Sequence, residues 1–463
     1  MLEFDFAVIG GGSAGYAAAA LASKQGFKVV VIEGGEQVGG LCILRGCMPS
    51  KTLLATSSCA RSVRSASAFG VNATFDGIDG TAMQARKRLL IEDFAGYRKG
   101  QLESGKFAFL RGRARFVDPF TLIVAGEGAE QTLRAQTFLI STGSVIPPPQ
   151  ISGLSEAGYL DSDAMLASER IPSSVTVLGG GAIALETASF YAGVGAKVTL
   201  LQRSERILKD LDPDVTDALT AAMKAQGIRI ETGVALQSCR RESGGKTIKF
   251  NQGAESHEVT AEEIVCALGR VPATHGLGLS AIGIQLDGVR IATSLTQQTS
   301  LPHIFAAGDV CGPLEVVHLA IQQGETAARN AVRLMRASRE AFEQMDYRLK
   351  LFAVFSSPAV AVVGLTEVEA VRAGTPFSVA TYPFGDHGKS MVEGHVHGFV
   401  KLLVHAETKQ ILGAAVVGPQ AAEIIHEVVV AMHFNATAGD LSKVPHYHPT
   451  LSEIWTYPAE DLA

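Results

Sequence analysis

The chain has 463 residues, of which 47% are apolar and 19% charged, and its formal net charge is −6. This length predicts about three domains of roughly 150 residues each. The acidic balance argues against nucleic acid or an anionic membrane as the main partner. No apolar run approaches the ~20 residues that cross a bilayer. The chain enters a predicted strand so soon after Met1 that we expect no signal peptide and a cytoplasmic protein.

The first predicted elements are a short buried strand, an Ala-rich helix and a second strand. Between the first strand and the helix, Gly10, Gly12 and Gly15 match the G-x-G-x-x-G pattern of a dinucleotide-binding turn. The second strand ends at Glu33, 23 residues after Gly10. A dinucleotide fold places a carboxylate there for the ribose hydroxyls. The glycines, the helix and the acid in register predict a dinucleotide site.

The next segment, GGLCILRGCMPSK, carries the close pair Cys42 and Cys47, with Lys51 four residues further on. In a reducing compartment such a pair is more often catalytic or metal-binding than structural. The alternative is two buried thiols at the start of a helix. The other four cysteines are interpreted as inert small hydrophobes, and they are Cys59, Cys239, Cys266 and Cys311.

A second strand–helix–strand unit starts near residue 175, where Gly179, Gly181 and Ala184 form G-x-G-x-x-A. At the position equivalent to Glu33 this unit has Gln202, and basic residues follow: Arg203, Arg206 and Lys209. An acid would repel a ribose 2′-phosphate, whereas a guanidinium attracts one. The pattern therefore favours NADPH over NADH. The alternative is a solvated basic loop.

The C-terminal region predicts an antiparallel sheet covered by two helices, over residues 365–373 and 420–434. The chain closes on HYHPTLSEIW, which places His448 five residues before Glu453. A general base oriented by a carboxylate requires these two residue types. The H-x-H pattern with His446 has no matched ligand cluster, so we predict no metal site.

The order of these motifs resembles one family, the flavin-dependent pyridine nucleotide–disulfide oxidoreductases, over nearly the whole chain. The C-terminal His-x-His-Pro-Thr-x-x-Glu form is most similar to dihydrolipoamide dehydrogenase, another branch being glutathione and mercuric reductases. The motifs that carry the resemblance are GGGSAG, GGLCILRGCMPSK, STGS, GGGAIALE, ALGRVP, AAGDVCG, VGLTEVEA, GFVKLLV, ILGAAVVG and HYHPTLSE.

The resemblance implies an α/β chain with two Rossmann-like dinucleotide-binding domains, for FAD and NAD(P)H, and a C-terminal α+β dimerisation domain. The expected segments are residues 1–150 for FAD, 151–270 for NAD(P), 271–345 for a return to the FAD-binding region, and 346–463 for dimerisation. In the family the closing His and Glu come from the partner subunit. The resemblance therefore implies a homodimer.

The resemblance also assigns roles to individual residues. Cys47 is the flavin-side thiol and Cys42 exchanges with a dithiol or disulfide substrate. His448 moves the proton of the exchanging thiol and Glu453 orients its ring. The residues expected at FAD are Gly10, Gly12, Gly15, Glu33, Ala114, Gly143, Asp309 and Lys51, which pairs with Glu186. Those expected at the nicotinamide nucleotide are Gly179, Gly181, Ala184, Arg203, Arg206, Lys209 and Gly269.

Three residues of the cysteine segment depart from the family pattern: Leu41, Leu44 and Arg45. Because of these three residues, the sequence does not define the substrate. An alternative function is a flavoprotein that reduces a quinone or a metal ion, or a soluble transhydrogenase. A redox-sensing or binding component is a further, non-enzymatic alternative. The chain lacks the C-terminal vicinal cysteines of mercuric reductase, which argues against that activity. Glutathione reduction stays open because of the predicted NADPH site.

Overall fold

The computed structural model describes all residues from Met1 to Ala463. They form two compact units, each assembled from three stretches of chain. Unit 1 comprises Met1–Ser50, Ala85–Pro147 and Arg270–Asp346, and unit 2 comprises Lys51–Gln84, Pro148–Gly269 and Tyr347–Ala463. No helix combines the length and apolar character that a membrane crossing requires. The predicted boundaries at residues 150, 270 and 345 stay predictions.

The strands of the structure are, in chain order, β1 Leu2–Ile9, β2 Val29–Glu33, β3 Ala108–Arg111, β4 Arg113–Asp118, β5 Thr121–Ala125, β6 Gln131–Ile140, β7 Ser144–Val145, β8 Ser174–Leu178, β9 Lys197–Leu201, β10 Arg229–Glu231, β11 Val234–Glu242, β12 Gly245–Gln252, β13 Glu255–Ala261, β14 Glu263–Cys266, β15 Val271–Pro272, β16 Leu286–Asp287, β17 Arg290–Ile291, β18 Ile304–Ala306, β19 Leu351–Val354, β20 Ala359–Gly364, β21 Phe377–Pro383, β22 Phe399–His405 and β23 Ile411–Gly418.

The helices are α1 Ser13–Lys24, α2 Gly40–Arg45, α3 Cys47–Ser65, α4 Gly80–Leu102, α5 Leu154–Ala157, α6 Ser162–Ala167, α7 Ala182–Gly193, α8 Pro213–Ala225, α9 Val317–Met335, α10 Glu367–Ala373, α11 Gly388–Val392, α12 Ala421–His433, α13 Ala438–Leu441 and α14 Thr456–Leu462. Short 3₁₀ turns occupy Ala66–Phe69, Ser280–Ile282, Tyr347–Leu349, Phe384–Asp386 and Ser452–Trp455.

Unit 1 is built on one seven-stranded sheet with the order β3-β2-β1-β6-β5-β4, and β18 also pairs with β6. β3, β2, β1, β6 and β18 are parallel, whereas β4 and β5 are antiparallel. Apolar runs such as Val29–Ile32 are buried, as strands covered on both faces require. Alanines of α1 and α9 share one buried cluster with β1 and β2, so small side chains allow these helices to pack closely.

Unit 2 contains three principal sheets. A parallel sheet, β10-β9-β8-β14, carries α7 between β8 and β9. An antiparallel sheet, β11-β12-β13, follows in the sequence, and the predictions assigned no strands there. The C-terminal antiparallel sheet has the order β19-β20-β23-β22-β21, with α12 and α14 contributing to its buried core. The predicted C-terminal sheet is present, and the helices predicted over 365–373 and 420–434 are α10 and α12, of which α12 lies in the core of the sheet.

A buried lysine, Lys401 on β22, organises a charged cluster in unit 2. Its side chain is 3% exposed, and its Nζ lies 2.9 Å from Asp212, 2.8 Å from Asp214 and 2.8 Å from Glu367. Burial by itself would lower the pKa of Lys401, but hydrogen bonds to the three carboxylates raise it above its usual value. The three carboxylates lie close enough to hold a metal ion, but their shared partner in this structure is the ammonium group.

We expect Lys401→Met to lower the free energy of unfolding by about 3–5 kcal/mol, because buried Asp212 would lose its counter-charge. Urea denaturation followed by tryptophan fluorescence measures the change. Lys249→Met, at an exposed position of β12, is the matched control and should change stability by less than about 0.5 kcal/mol. Equal stability of the two variants would contradict the prediction.

Candidate active site

The first glycine loop, in unit 1, has the close approaches of a dinucleotide-binding turn. Gly10 has φ +105°, and a Cβ there would lie 2.4 Å from the Ser141 carbonyl oxygen. A Cβ on Gly15 would lie 1.9 Å from the Gly10 carbonyl oxygen, so only glycine allows this helix–strand packing. No side chain caps the start of α1. Its first N–H groups therefore suit a phosphate.

The Glu33 carboxylate, at the end of β2, lies beside this loop. It accepts hydrogen bonds from Gly11 N at 2.9 Å and from Gly35 N at 2.7 Å. The Glu33 carbonyl oxygen accepts one from Gly112 N at 3.0 Å. Ala114 follows in β4 and is buried. The end of β2 and the start of β4 thus form one edge of the loop, where the adenosine end of a dinucleotide would lie.

The cysteine segment packs directly on the glycine loop. Gly40 has φ +76°, and a Cβ on it would lie 2.8 Å from Gly12 Cα. Cys42 lies in α2 and Cys47 is the first residue of α3, and both are half-buried. Backbone contact therefore fixes the cysteine segment beside the dinucleotide turn.

The two cysteines do not lie on one continuous helix, because Gly46 separates α2 from α3. Its φ is −136° and its ψ is −116°, far from helical values. A Cβ on Gly46 would lie 3.0 Å from the Leu41 carbonyl oxygen and 3.2 Å from Cys42 Cα. A regular helix would point positions five apart in different directions. The break at Gly46 therefore takes Cys42 and Cys47 out of the helical relation that positions five apart would otherwise have.

Leu44, one of the unusual residues of this segment, lines a groove of about 480 Å³. Val38 also lines this groove, together with Ile91, Ala95 and Lys99 of α4. The departure at position 44 therefore changes the wall of a groove that begins two residues from Cys42.

Asp309 is held in place by a chain of hydrogen bonds within unit 1. Ser144 Oγ donates to Asp309 Oδ2 at 2.7 Å, and Arg270 Nε donates to Ser144 Oγ at 3.0 Å. Gly143 has φ +71°, and a Cβ there would meet nothing within 4 Å. A carboxylate of fixed orientation next to open space suits a polyol chain. Unit 1 therefore fits FAD at the glycine loop, Glu33 and Asp309.

Lys51 and Glu186, in unit 2, form the predicted ion pair. Lys51 Nζ lies 2.8 Å from Glu186 Oε1 and 2.9 Å from Oε2. Phe355 supports both partners, because its backbone N donates to Glu186 Oε1 at 3.0 Å and its ring lies 4.4 Å from Lys51 Nζ. The glutamate side chain is 11% exposed and the lysine side chain 33%. The ammonium group is thus fixed in position and still reachable.

The second glycine loop, in unit 2, repeats the geometry of the first. Gly179 has φ +118°, and a Cβ there would lie 2.4 Å from the Ala267 carbonyl oxygen. Gly181 precedes α7 with no side-chain cap and open space around it. Ala184 is fully buried against the sheet. This loop fits a second dinucleotide.

Gln202 lies against the second glycine loop, at the position that Glu33 has at the first. A Cβ built on Gly180 would lie 2.9 Å from the Gln202 side chain. Arg203 is exposed and forms no ion pair. Arg206 lies 3.4 Å from Asp217, and Lys209 lies 2.7 Å from Asp210. Exposed ion pairs of this kind contribute little free energy, so Arg206 and Lys209 can exchange these partners for a ligand. Gly269, with φ +113° and no atom within 4 Å of a built Cβ, leaves room for a ligand.

The two C-terminal histidines have different environments. His446 is largely buried, with Nδ1 2.8 Å from the Val444 carbonyl oxygen and Nε2 2.5 Å from Glu427 Oε1. His448 has a side chain that is 79% exposed, and only its Nδ1 is engaged, at 3.0 Å from Glu453 Oε2. Both ring nitrogens of His446 are therefore engaged within the chain, whereas His448 Nε2 is available to another molecule.

Three of the remaining four cysteines have surroundings that do not suit a reactive thiol. Burial raises the pKa of Cys239 and Cys266, and raises that of Cys311 to about 12. A thiol with a raised pKa stays protonated and is a poor nucleophile. Cys59 is exposed on α3.

Some residues that support the site were not predicted from the sequence, namely Ser144, Arg270, Phe355 and His387. His387 Nε2 lies 3.4 Å from Glu453 Oε1, although 66 residues separate them in the chain. Arg270 belongs to the ALGRVP motif, but the motif did not predict its contact with Ser144. A local pattern cannot indicate such partners, because tertiary packing alone brings them to Asp309, Glu186 and Glu453.

Two uncapped glycine loops, with a close cysteine pair packed on the first, define a dinucleotide-dependent oxidoreductase of the dithiol–disulfide class. Residues 4–324 match the family model described as pyridine nucleotide-disulphide oxidoreductase, and residues 352–459 match the dimerisation domain of the same family. The chain belongs to the pyridine nucleotide-disulphide oxidoreductase family. The predicted family, α/β fold and enzyme class are confirmed.

Curated relatives are similar over nearly their full length. A dihydrolipoyl dehydrogenase of Thermus scotoductus is 35% identical over 465 residues, covering 100% of this chain and 98% of the relative. One of Bacillus subtilis is 32% identical and covers 97% and 96%. A mercuric reductase of Bacillus cereus is 31% identical, with 97% of this chain and 70% of the relative covered.

Solved structures share the fold. LpdA of Mycobacterium tuberculosis has a TM-score of 0.87 and 25% identity, with 100% of both chains covered. The HOCl-induced flavoprotein disulfide reductase RclA of Escherichia coli, as a Cu(II) complex, has a TM-score of 0.86 and 24% identity, again with 100% of both chains covered.

Proposed function

We propose that the protein is a homodimeric, FAD-dependent NAD(P)H:disulfide oxidoreductase in which Cys42 and Cys47 form the redox-active pair. The observation that supports this most is the seating of the cysteine segment on the first glycine loop, with Gly40 against Gly12 Cα. A thiol pair fixed by backbone contact beside a dinucleotide turn is positioned for electron exchange with the bound group. The dimerisation domain supports the homodimer.

FAD would be held by the glycine loop, Glu33 and Asp309, with Ala114 and Gly143 leaving space for it. When bound, it would supply two-electron transfer between the nicotinamide and the cysteine pair. Glu33 is oriented by two backbone N–H groups toward ribose hydroxyls. Lys51 would place a positive charge at the ring edge, and Glu186 with Phe355 would keep that charge in position.

The cysteines and the C-terminal dyad would carry out the substrate steps. The Cys42 thiolate attacks one sulfur of a disulfide, forms a mixed disulfide and releases one substrate thiolate. His448, donated by the partner subunit, gives that thiolate a proton while Glu453 stabilises the imidazole. The Cys47 thiolate then attacks the Cys42 sulfur of the mixed disulfide, which closes the Cys42–Cys47 disulfide and expels the second substrate sulfur as a thiolate, and this thiolate takes a proton from solvent. A helix N-terminus, where Cys47 lies, favours the thiolate form.

The substrate that we favour is lipoyl-type, because the C-terminal motif and the dihydrolipoyl dehydrogenase relatives agree on it. Steady-state rates with lipoamide, glutathione disulfide and mercuric ion, each with NADH and with NADPH, test the choice. We expect lipoamide to give the highest kcat/KM. Turnover of mercuric ion or a quinone alone, with no disulfide reduced, would contradict the proposal.

For the nicotinamide nucleotide we favour NADPH, because Gln202 brings no negative charge and Arg203 is exposed without a partner. Gln202→Glu should raise the NADH-to-NADPH ratio of kcat/KM about tenfold, since the new carboxylate would repel a 2′-phosphate and accept ribose hydroxyls. Gln237→Glu, at an exposed glutamine of β11, is the matched control. An unchanged ratio in Gln202→Glu would contradict the NADPH assignment.

A further inference from the structure

A second histidine, His387, lies near the same Glu453 carboxylate as His448. His448 Nδ1 lies 3.0 Å from Glu453 Oε2 and 3.2 Å from Oε1, and His387 Nε2 lies 3.4 Å from Oε1. The glutamate side chain is 10% exposed and the His387 side chain is fully buried. One carboxylate is therefore placed between an exposed imidazole and a buried one.

Packing fixes the orientation of the His387 ring. Nδ1 lies 2.8 Å from the hydroxyl of Ser390, which is itself buried on α11. Phe384 meets the ring edge-on at a centroid distance of 6.5 Å, and Tyr457 of α14 does so at 6.4 Å. These contacts leave Nε2 buried 3.4 Å from Glu453 Oε1, without a hydrogen-bond partner.

The protonation state of His387 follows from its surroundings. Burial lowers its pKa, Glu453 opposes this by raising it, and His448 lowers it further, so that the pKa lies below its usual value. Of the other groups near it, Asp386 accepts a hydrogen bond from Tyr382. At neutral pH the His387 ring is thus uncharged and carries one N–H. When the Ser390 hydroxyl donates to Nδ1, that N–H is on Nε2 and faces Glu453.

Glu453 needs such a donor, because His448 is the only residue that hydrogen-bonds its carboxylate. No backbone N–H reaches either oxygen. The Nε2 of His387 is in turn buried without a hydrogen-bond partner. An unsatisfied buried donor is costly, so a small approach of Glu453 to His387 is favourable. That approach would fix one carboxylate oxygen on His387 and leave the other for His448.

We propose that His387 is a positioning residue for the His448–Glu453 dyad. Its Nε2–H holds Glu453 Oε1, which keeps Glu453 Oε2 on His448 Nδ1 and leaves His448 Nε2 to carry the proton that the leaving substrate thiolate receives. The inference rests on the proposed function, because it assigns His387 to the proton-transfer step of disulfide exchange. Electron transfer from NAD(P)H to an artificial dye requires no such proton transfer and should not depend on His387.

The test compares His387→Phe, which keeps an aromatic ring and removes the N–H, with His387→Gln, which keeps an N–H near the same place. With lipoamide we expect His387→Phe to lower kcat about tenfold, with KM and dye reduction unchanged, and His387→Gln to restore kcat to within about threefold of the parent. Full kcat in His387→Phe, or equal losses of disulfide and dye turnover, would overturn the inference.

His448→Ala separates this inference from the proposed function. If His448→Ala loses disulfide turnover, the dyad is functional, and adding His387→Phe should cost nothing more because the two residues act through one carboxylate. An additional tenfold loss in the double variant would assign His387 to structure alone. If His448→Ala keeps full turnover, the assignment of His448 as the proton donor to the leaving thiolate is wrong, whatever His387 does. Should His387→Phe fail to fold, Ser390→Ala replaces it, with an expected twofold to threefold loss of kcat and unchanged kcat as the contradicting result.

Discussion

Replacing Cys42 by serine should reduce the kcat for lipoamide or another disulfide by about a thousandfold or more, while NAD(P)H-dependent dye reduction continues. A serine hydroxyl stays un-ionised at neutral pH, so it neither attacks a disulfide sulfur nor closes a bond to Cys47. The backbone contact of Gly40 with the glycine loop does not involve the Cys42 side chain. We therefore expect flavin content to be unchanged.

Two variants sharpen this test. Cys59→Ser removes an exposed thiol on α3 and should leave turnover unchanged. Cys47→Ser keeps the exchanging thiol but removes its resolving partner, so it should accumulate a mixed disulfide at Cys42 with one equivalent of substrate. Mass spectrometry of the intact protein detects that adduct, and Cys42→Ser should not form it. Full disulfide turnover in Cys42→Ser would contradict the assigned exchange step.

The parts of the site that the sequence predicted are those encoded over short distances. Gly10, Gly15 and Glu33 follow from the strand–turn–helix–strand pattern, because a tight turn, close helix packing and a strand-end acid each require one residue type. His448 and Glu453 lie only five residues apart, so their hydrogen bond is a local contact. Lys51 and Glu186 are distant in sequence, and only the family resemblance paired them.

The parts that the sequence did not predict depend on tertiary packing. The sheet β11-β12-β13 was missed because its strands alternate charged and apolar residues over turns that resemble a polar linker. Phe355 and His387 belong to segments with no catalytic pattern of their own. The sequence does not indicate the break at Gly46, where a Cβ would come within 3.0 Å of the Leu41 carbonyl oxygen and 3.2 Å of Cys42 Cα.

His448→Ala should lower the kcat for disulfide reduction by about 10²–10⁴-fold, the range that a positioned general acid–base contributes. The reason lies in the contrast between the two C-terminal histidines. Both ring nitrogens of His446 are engaged by the fold, whereas His448 uses only Nδ1 and exposes the rest of its ring. Only His448 has a nitrogen left for the proton of a substrate thiol.

Three comparisons make the His448 result specific. His433→Ala, an exposed histidine at the end of α12, should keep full turnover. Glu453→Gln should lose about tenfold, because an amide still meets the ring but no longer stabilises its protonated form. Dye reduction should stay at the parent rate in every variant, since the loss lies in proton transfer to sulfur and not in electron transfer. A His448→Ala enzyme with full disulfide turnover would mean that another group protonates the leaving thiolate, and the exposed ring of His448 would then serve only the contact between subunits.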